Sequence, residues 1–113
     1  MSLRKKQSKF ARSVACLILQ AEKLGYEVTL GDAYRDPRVH GDFGEKKGYG
    51  RSRSCHKVRL AIDLNLFKDG AYLGSTEDHR ELGEWWESLG PEYSWGGRFN
   101  DGNHYSFEHN GAR

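Results

Sequence analysis

Between residues 60 and 67 the chain alternates strictly, with Leu60, Ile62, Leu64 and Leu66 on one side and Ala61, Asp63, Asn65 and Phe67 on the other. Period-two alternation marks a half-buried strand, so the leucine side needs a covering layer and Asp63 is turned to the opposite face. The cover is available upstream. Phe10, Val14, Leu17, Ala21 and Leu24 recur at spacings of three and four, which predicts an amphipathic helix over residues 8–24 that stops at Gly25. Residues 26–30 then read as a strand that delivers Arg35 beyond its far end.

Downstream, Lys68, Asp69 and Gly70 form a turn signal, and residues 71–73 can return as a short hairpin arm. Ser75 or Thr76 can cap a second helix with Glu77 and Asp78 in its first turn; Leu82, Trp85, Trp86 and Leu89 supply the apolar face, and Gly90-Pro91 ends it. A last strand near residues 104–108 puts His104, Ser106 and Glu108 on one face and Tyr105 and Phe107 on the other. Residues 36–53 hold glycines, a proline and many charges, which predicts a long loop. The sum is an α+β fold, two helices packed on a small, mainly antiparallel sheet, in a single domain spanning residues 1–113.

Composition agrees. The chain has 113 residues, 36% apolar and 30% charged, with a formal net charge of +2. A chain of that length buries roughly two-thirds of its unfolded surface, enough for one core. No internal repeat or low-complexity tract is present. Cys16 and Cys55 lack the spacing of a framework, which predicts no structural disulfide and synthesis in a reducing cytoplasm. The basic start lacks the pattern of a signal peptide, and no run is apolar enough for a membrane span. Lys46, Lys47, Arg51, Arg53, Lys57 and Arg59 form either a positive rim facing an anionic partner or a solvated loop.

His56, Asp63 and His104 are the informative polar residues. Two imidazoles and a carboxylate make a donor set suited to zinc, with a fourth position open to water. His56 lies seven residues before Asp63, the opposite parity, so a bend is needed to bring it to the same surface. Asp101, three residues before His104, is either a general base beside that water or the turn-forming Asp of Asn-Asp-Gly. Glu108 is a reserve base. Cys55 is expected to be a small buried side chain, while His40, His79 and His109 are expected at the surface. Arg35 is either functional or in an ion pair with Asp32 or Asp36.

The segments SCHKVRLAIDLNLF and WGGRFNDGNHYS resemble the two metal motifs of the M15 metallopeptidases, the D-Ala-D-Ala carboxypeptidase and phage L-alanyl-D-glutamate endopeptidase group. That pattern is Ser-x-His, six residues, Asp, then a distal acidic-x-x-His. The resemblance extends over residues 31–106 and implies a DD-peptidase/Hedgehog-like fold. It also implies Zn2+ held by His56, Asp63 and His104, Asp101 as base, Arg35 as clamp or oxyanion partner, and Ser54 as a substrate contact. The implied substrate is the stem peptide of peptidoglycan, cut as an L-Ala-D-Glu endopeptidase or a D-Ala-D-Ala carboxypeptidase. The implied setting is a monomeric phage endolysin reaching the wall through a holin or in a virion, with no nucleic-acid partner and no membrane insertion. Asp101, where another branch has Glu, leans toward the lysin side. Arg59 stands where many members have glycine, so a differently shaped loop around His56 is expected. The alternatives are a non-catalytic zinc-containing wall-binding or virion structural module and a small metal-dependent nuclease, whose compact His-rich motif this order of residues fits poorly.

Overall fold

The computed structural model describes residues 1–46 and 51–113. Helix α1 (Leu3–Lys23) is capped by Ser2, whose hydroxyl accepts from the Lys5 amide at 3.2 Å, and it ends before Gly25, which takes φ +93°. It therefore starts five residues earlier than apolar spacing indicates, because Ser2 nucleates a first stretch that has no core face to reveal it. Strand β1 (Glu27–Leu30) follows, then a short helix α2 (Pro37–His40) inside the stretch read as loop. Asp36 caps α2 by accepting from the Arg38 amide, and Pro37 sits at its first position.

Strand β2 (Ala61–Lys68) is the centre of the sheet, and all its pairings are antiparallel. One edge pairs with β1, Leu30 opposite Leu64; the other pairs first with β5 (His104–Phe107) and then with β3 (Ala71–Leu73). Strand β4 (Tyr93–Trp95) continues the sheet beyond β5. The second helix begins as a 3-10 turn, Glu77–His79, and runs on as α3 (Arg80–Glu87). Ser75 closes its start: the Ser75 hydroxyl accepts from the Asp78 amide, and the Asp78 carboxylate accepts from the Ser75 amide. The expected α+β architecture is the one observed.

Leu60, Leu64 and Leu66 are fully buried against Leu17 and Ala21 of α1 and Leu82 and Trp86 of α3. Trp86 is the hub. Its ring meets Phe10, Tyr93 and Tyr105 edge to face, and its indole N–H donates to the Ser106 carbonyl at 3.1 Å. Trp85 is half-buried and Leu89 is 40% exposed, so the helix face is narrower than the sequence suggests. Both cysteines are free, Cys55 buried and Cys16 exposed. Burial pushes the Cys55 thiol up to about 11, which keeps it protonated and inert.

Two expectations are corrected here. His40 and His79 are buried, and the His79 ring meets the Tyr105 hydroxyl at 2.8 Å; His109 is half-buried, with Lys6 Nζ 3.3 Å from its Nδ1. Lys57 belongs to no surface rim: it is buried, and its ammonium donates to the carbonyls of Asp42, Glu45 and Ser52. Arg51, Arg53 and Lys46 do face solvent, while Lys47 lies outside the described residues. No helix among the described residues is long and apolar enough to cross a membrane.

Candidate metal centre

Asp63 projects from β2 on the face opposite the leucines, and β5 places His104 directly opposite it. The register is pinned on both sides: the Leu64 amide donates to the Asn103 carbonyl at 2.9 Å, while the Gly31 amide donates to Asp63 O and the Asp63 amide to Asp32 O, both at 2.8 Å. Gly31 leaves room for this close crossing. A Cβ there would lie 3.0 Å from Asp63 Cβ and 3.1 Å from its carbonyl oxygen.

His56 reaches the same surface through a tight turn. Ser54 caps the 3-10 turn Cys55–Val58 by accepting from the His56 amide, and the Leu60 amide returns to the Cys55 carbonyl at 2.9 Å. Arg59 closes the turn in the left-handed conformation, φ 57°. That is the backbone shape glycine favours, so Arg59 accepts a cost of roughly 1–2 kcal/mol, and its guanidinium stacks on the Tyr34 ring at 3.9 Å. The bend demanded by the parity of His56 and Asp63 is this turn.

The three side chains converge. His56 Nε2 lies 3.2 Å and His104 Nδ1 3.5 Å from the same oxygen, Asp63 Oδ1, and the donor atoms all fall within 4.8 Å of one another. His56 is 1% exposed, His104 13% and Asp63 19%. Close as they are, His56 Nε2 and Asp63 Oδ1 are not aligned as a hydrogen bond, and both are buried without a hydrogen-bond partner. Burying such atoms unsatisfied costs on the order of 1–3 kcal/mol each. A cation shared among them removes that cost, and two imidazoles with one carboxylate form a set that could hold zinc. Burial pushes the Asp63 carboxyl up, but the nitrogens of His104 and His56 outweigh it and hold it far below the usual carboxylate range.

Asp101 stands at the rim. The 3-10 turn Gly96–Phe99 and left-handed Asn100 lead into it; the Asp101 amide donates to Gly96 O and the His104 amide to Asp101 O, at 3.0 and 3.1 Å. Its Oδ2 is 4.0 Å from His104 Nδ1, and its side chain is 58% exposed. Asn100 thus supplies the turn, leaving the Asp101 carboxylate at the mouth of the pocket. Arg35 arrives from the end of β1: its amide donates to the His56 carbonyl at 3.2 Å, and its guanidinium donates to the Ser54 hydroxyl at 2.9 Å. Asp36, a candidate partner for Arg35, is paired with Arg38 at 2.6 Å, and that guanidinium lowers its carboxyl to about 2. Glu108, the reserve base, lies off this pocket and accepts from the Gly111 amide.

The pocket has a volume of about 170 Å3, and Arg35, Ser54, His56, Asp101 and His104 all line it. Arg51, Phe99 and Arg113 complete the wall, the Arg51 guanidinium lying 4.4 Å over the Phe99 ring. Phe99 and Arg113 carry no sequence signal of their own; only the position of Phe99 within the second motif hinted at it.

A largely buried set of two imidazoles and a carboxylate is thus open on one side, with a second carboxylate and a guanidinium at its edge. The chain belongs to the D-alanyl-D-alanine carboxypeptidase family of M15 peptidases, whose family model matches residues 47–107, more than half of its length. Membership makes it a peptidase of a family that acts on peptidoglycan. Comparison with curated proteins finds no match.

Proposed function

We propose that the chain is a zinc-dependent peptidase that hydrolyses the stem peptide of bacterial peptidoglycan, as an L-Ala-D-Glu endopeptidase or D-Ala-D-Ala carboxypeptidase of the phage-lysin kind. The observation that carries this reading is the convergence of His56, Asp63 and His104, with unsatisfied buried atoms on His56 and Asp63, beside a pocket that His56, His104 and Asp101 line. In this reading residues 1–113 form one peptidase domain, act as a monomer, and reach the wall by holin release or as part of a virion.

Bound zinc would supply Lewis acidity, taking the pKa of water from about 15.7 to roughly 7. Asp101 takes the proton of the attacking water at its exposed carboxylate and returns it to the leaving amine. Ser54 fixes the Arg35 guanidinium, whose planar fork then holds either a substrate carboxylate or the oxygen on which charge develops. His56 and Asp63, nearly enclosed, keep bulk water from the inner side of the site.

The test is digestion of purified peptidoglycan followed by mass spectrometry of the new termini, with zinc-loaded protein, chelated protein and Asp101→Asn in parallel. Fragments of one bond type that disappear in both controls support the reading and identify the bond. Zinc bound in equimolar amount with no fragments released refutes it and selects a non-catalytic wall-binding module.

A further inference from the structure

We propose that the outward face of α1 is a docking groove for a linear, non-nucleic polyanion whose charges are phosphodiester groups. Through residue 21 the chain holds Arg4, Lys5, Lys6, Lys9 and Arg12 and no acidic residue, whereas the whole sequence balances 18 basic against 16 acidic residues. Lys9 pairs with Glu92 at 3.7 Å and Lys6 contacts His109. Arg4, Lys5 and Arg12 are exposed and make no ion pair among the described residues. They line a hollow of about 480 Å3 together with the hydroxyl-bearing Ser8, Ser13 and Tyr93.

The placement works against the helix. Arg4 and Lys5, cations in the first turn, oppose the macrodipole. A cluster kept there at that cost concentrates positive potential, since the helix N-terminus adds its own. The planar forks of Arg4 and Arg12 suit paired phosphate oxygens, and the exposed Ser8 hydroxyl adds a donor on the same lining. The Ser13 proton goes to the Lys9 carbonyl and the Tyr93 proton to Ser13 at 2.9 Å, so those two hydroxyls order the wall and leave the ligand to the cations.

Arg4 to Arg12 spans about 12 Å along the axis, which suits an extended chain better than a single small anion. A lipid surface fits less well, because the apolar face of α1 is spent in the core on Phe10, Leu17 and Ala21 and none is left to enter a bilayer. Single-stranded nucleic acid would want stacking platforms, and Tyr93, the groove's aromatic residue, is 6% exposed. The groove and the metal centre lie on opposite sides of the sheet, since α1 covers the leucine face and Asp63 points away from it.

The experiment is titration of the full chain with poly(glycerol phosphate) across salt, with phosphatidylglycerol vesicles and single-stranded DNA as comparison probes. Affinity for the polymer should fall roughly 20-fold or more between 50 and 200 mM salt, and R4Q/K5Q/R12Q should flatten that slope by about two to three units. The charge-matched control K68Q/R80Q/R98Q should leave binding unchanged. The groove variant should melt no lower than the parent, because two of its lost charges, on Arg4 and Lys5, opposed the dipole and the exposed Arg12 makes no ion pair among the described residues. Absence of binding at low salt, equal loss in the control, or equal or tighter binding to vesicles or DNA would each overturn the proposal.

Discussion

A methyl group on Gly96 would stand 2.2 Å from the Asp101 carbonyl oxygen and 2.9 Å from His104 Cβ, so this one hydrogen sets the spacing between Asp101 and His104. Gly96→Ala should cost about 1–3 kcal/mol through overpacking, and a displacement near 1 Å should cost on the order of 100-fold in kcat/KM. Denaturant melts and steady-state kinetics on the same preparation separate the two effects. Asp101→Asn removes the proposed base without changing shape. It should lower kcat by roughly 100- to 10,000-fold with zinc content and melting temperature unchanged, as metal analysis and calorimetry would show. At this scale His56, Asp63 and His104 stood out as a set through the two motifs rather than through spacing alone, and the structure brings both imidazoles to one Asp63 oxygen. Phe99 and Arg113 did not stand out, because a pocket wall is chosen by where the chain passes, and neither residue has a periodic partner to mark it.

Secondary structure was legible wherever an element buries a face. Strand β2 alternates because both of its environments are fixed, and α1 repeats because Phe10, Leu17 and Ala21 meet the core. The first turns of α1 and the whole of α2 bury little and rest on Ser2 and Asp36 caps, so periodicity alone passed over them. The buried histidine ahead of α3 yields a test of that packing. Burial lowers the His79 pKa below the ordinary value near 6.5. The unfolded chain therefore binds the proton more readily, and stability is full above about pH 6.5 and declines as pH falls toward the folded value. Urea midpoints between pH 7.5 and 5.5 should drop more in the parent than in His79→Gln. Lys57 ties Asp42, Glu45 and Ser52 to the site turn through their three carbonyls. Lys57→Met leaves those acceptors without their donor and should destabilise by about 1–3 kcal/mol, with hydrogen exchange rising first around those three residues.

For the molecule as a whole, the site joins four stretches of chain, around residues 31–35, 54–56, 63 and 101–104, so a ligand shared among them binds the folded state and not the unfolded one. Zinc at about 100 times its dissociation constant should add roughly 2.7 kcal/mol, which for a domain of this size raises the melting temperature on the order of 10 °C. Chelation should reverse the shift and Asp63→Asn should abolish most of it, as scanning calorimetry with and without metal would reveal.

His104 comes last among the three donors along the chain, on β5, a strand that pairs with β2 across more than forty residues of intervening sequence. A polypeptide halted before that strand carries at most two of the donors and no partner to hold Asp63 in place. Interrupted synthesis therefore yields fragments with an incomplete donor set, and the complete set exists only once the chain has been made through that strand.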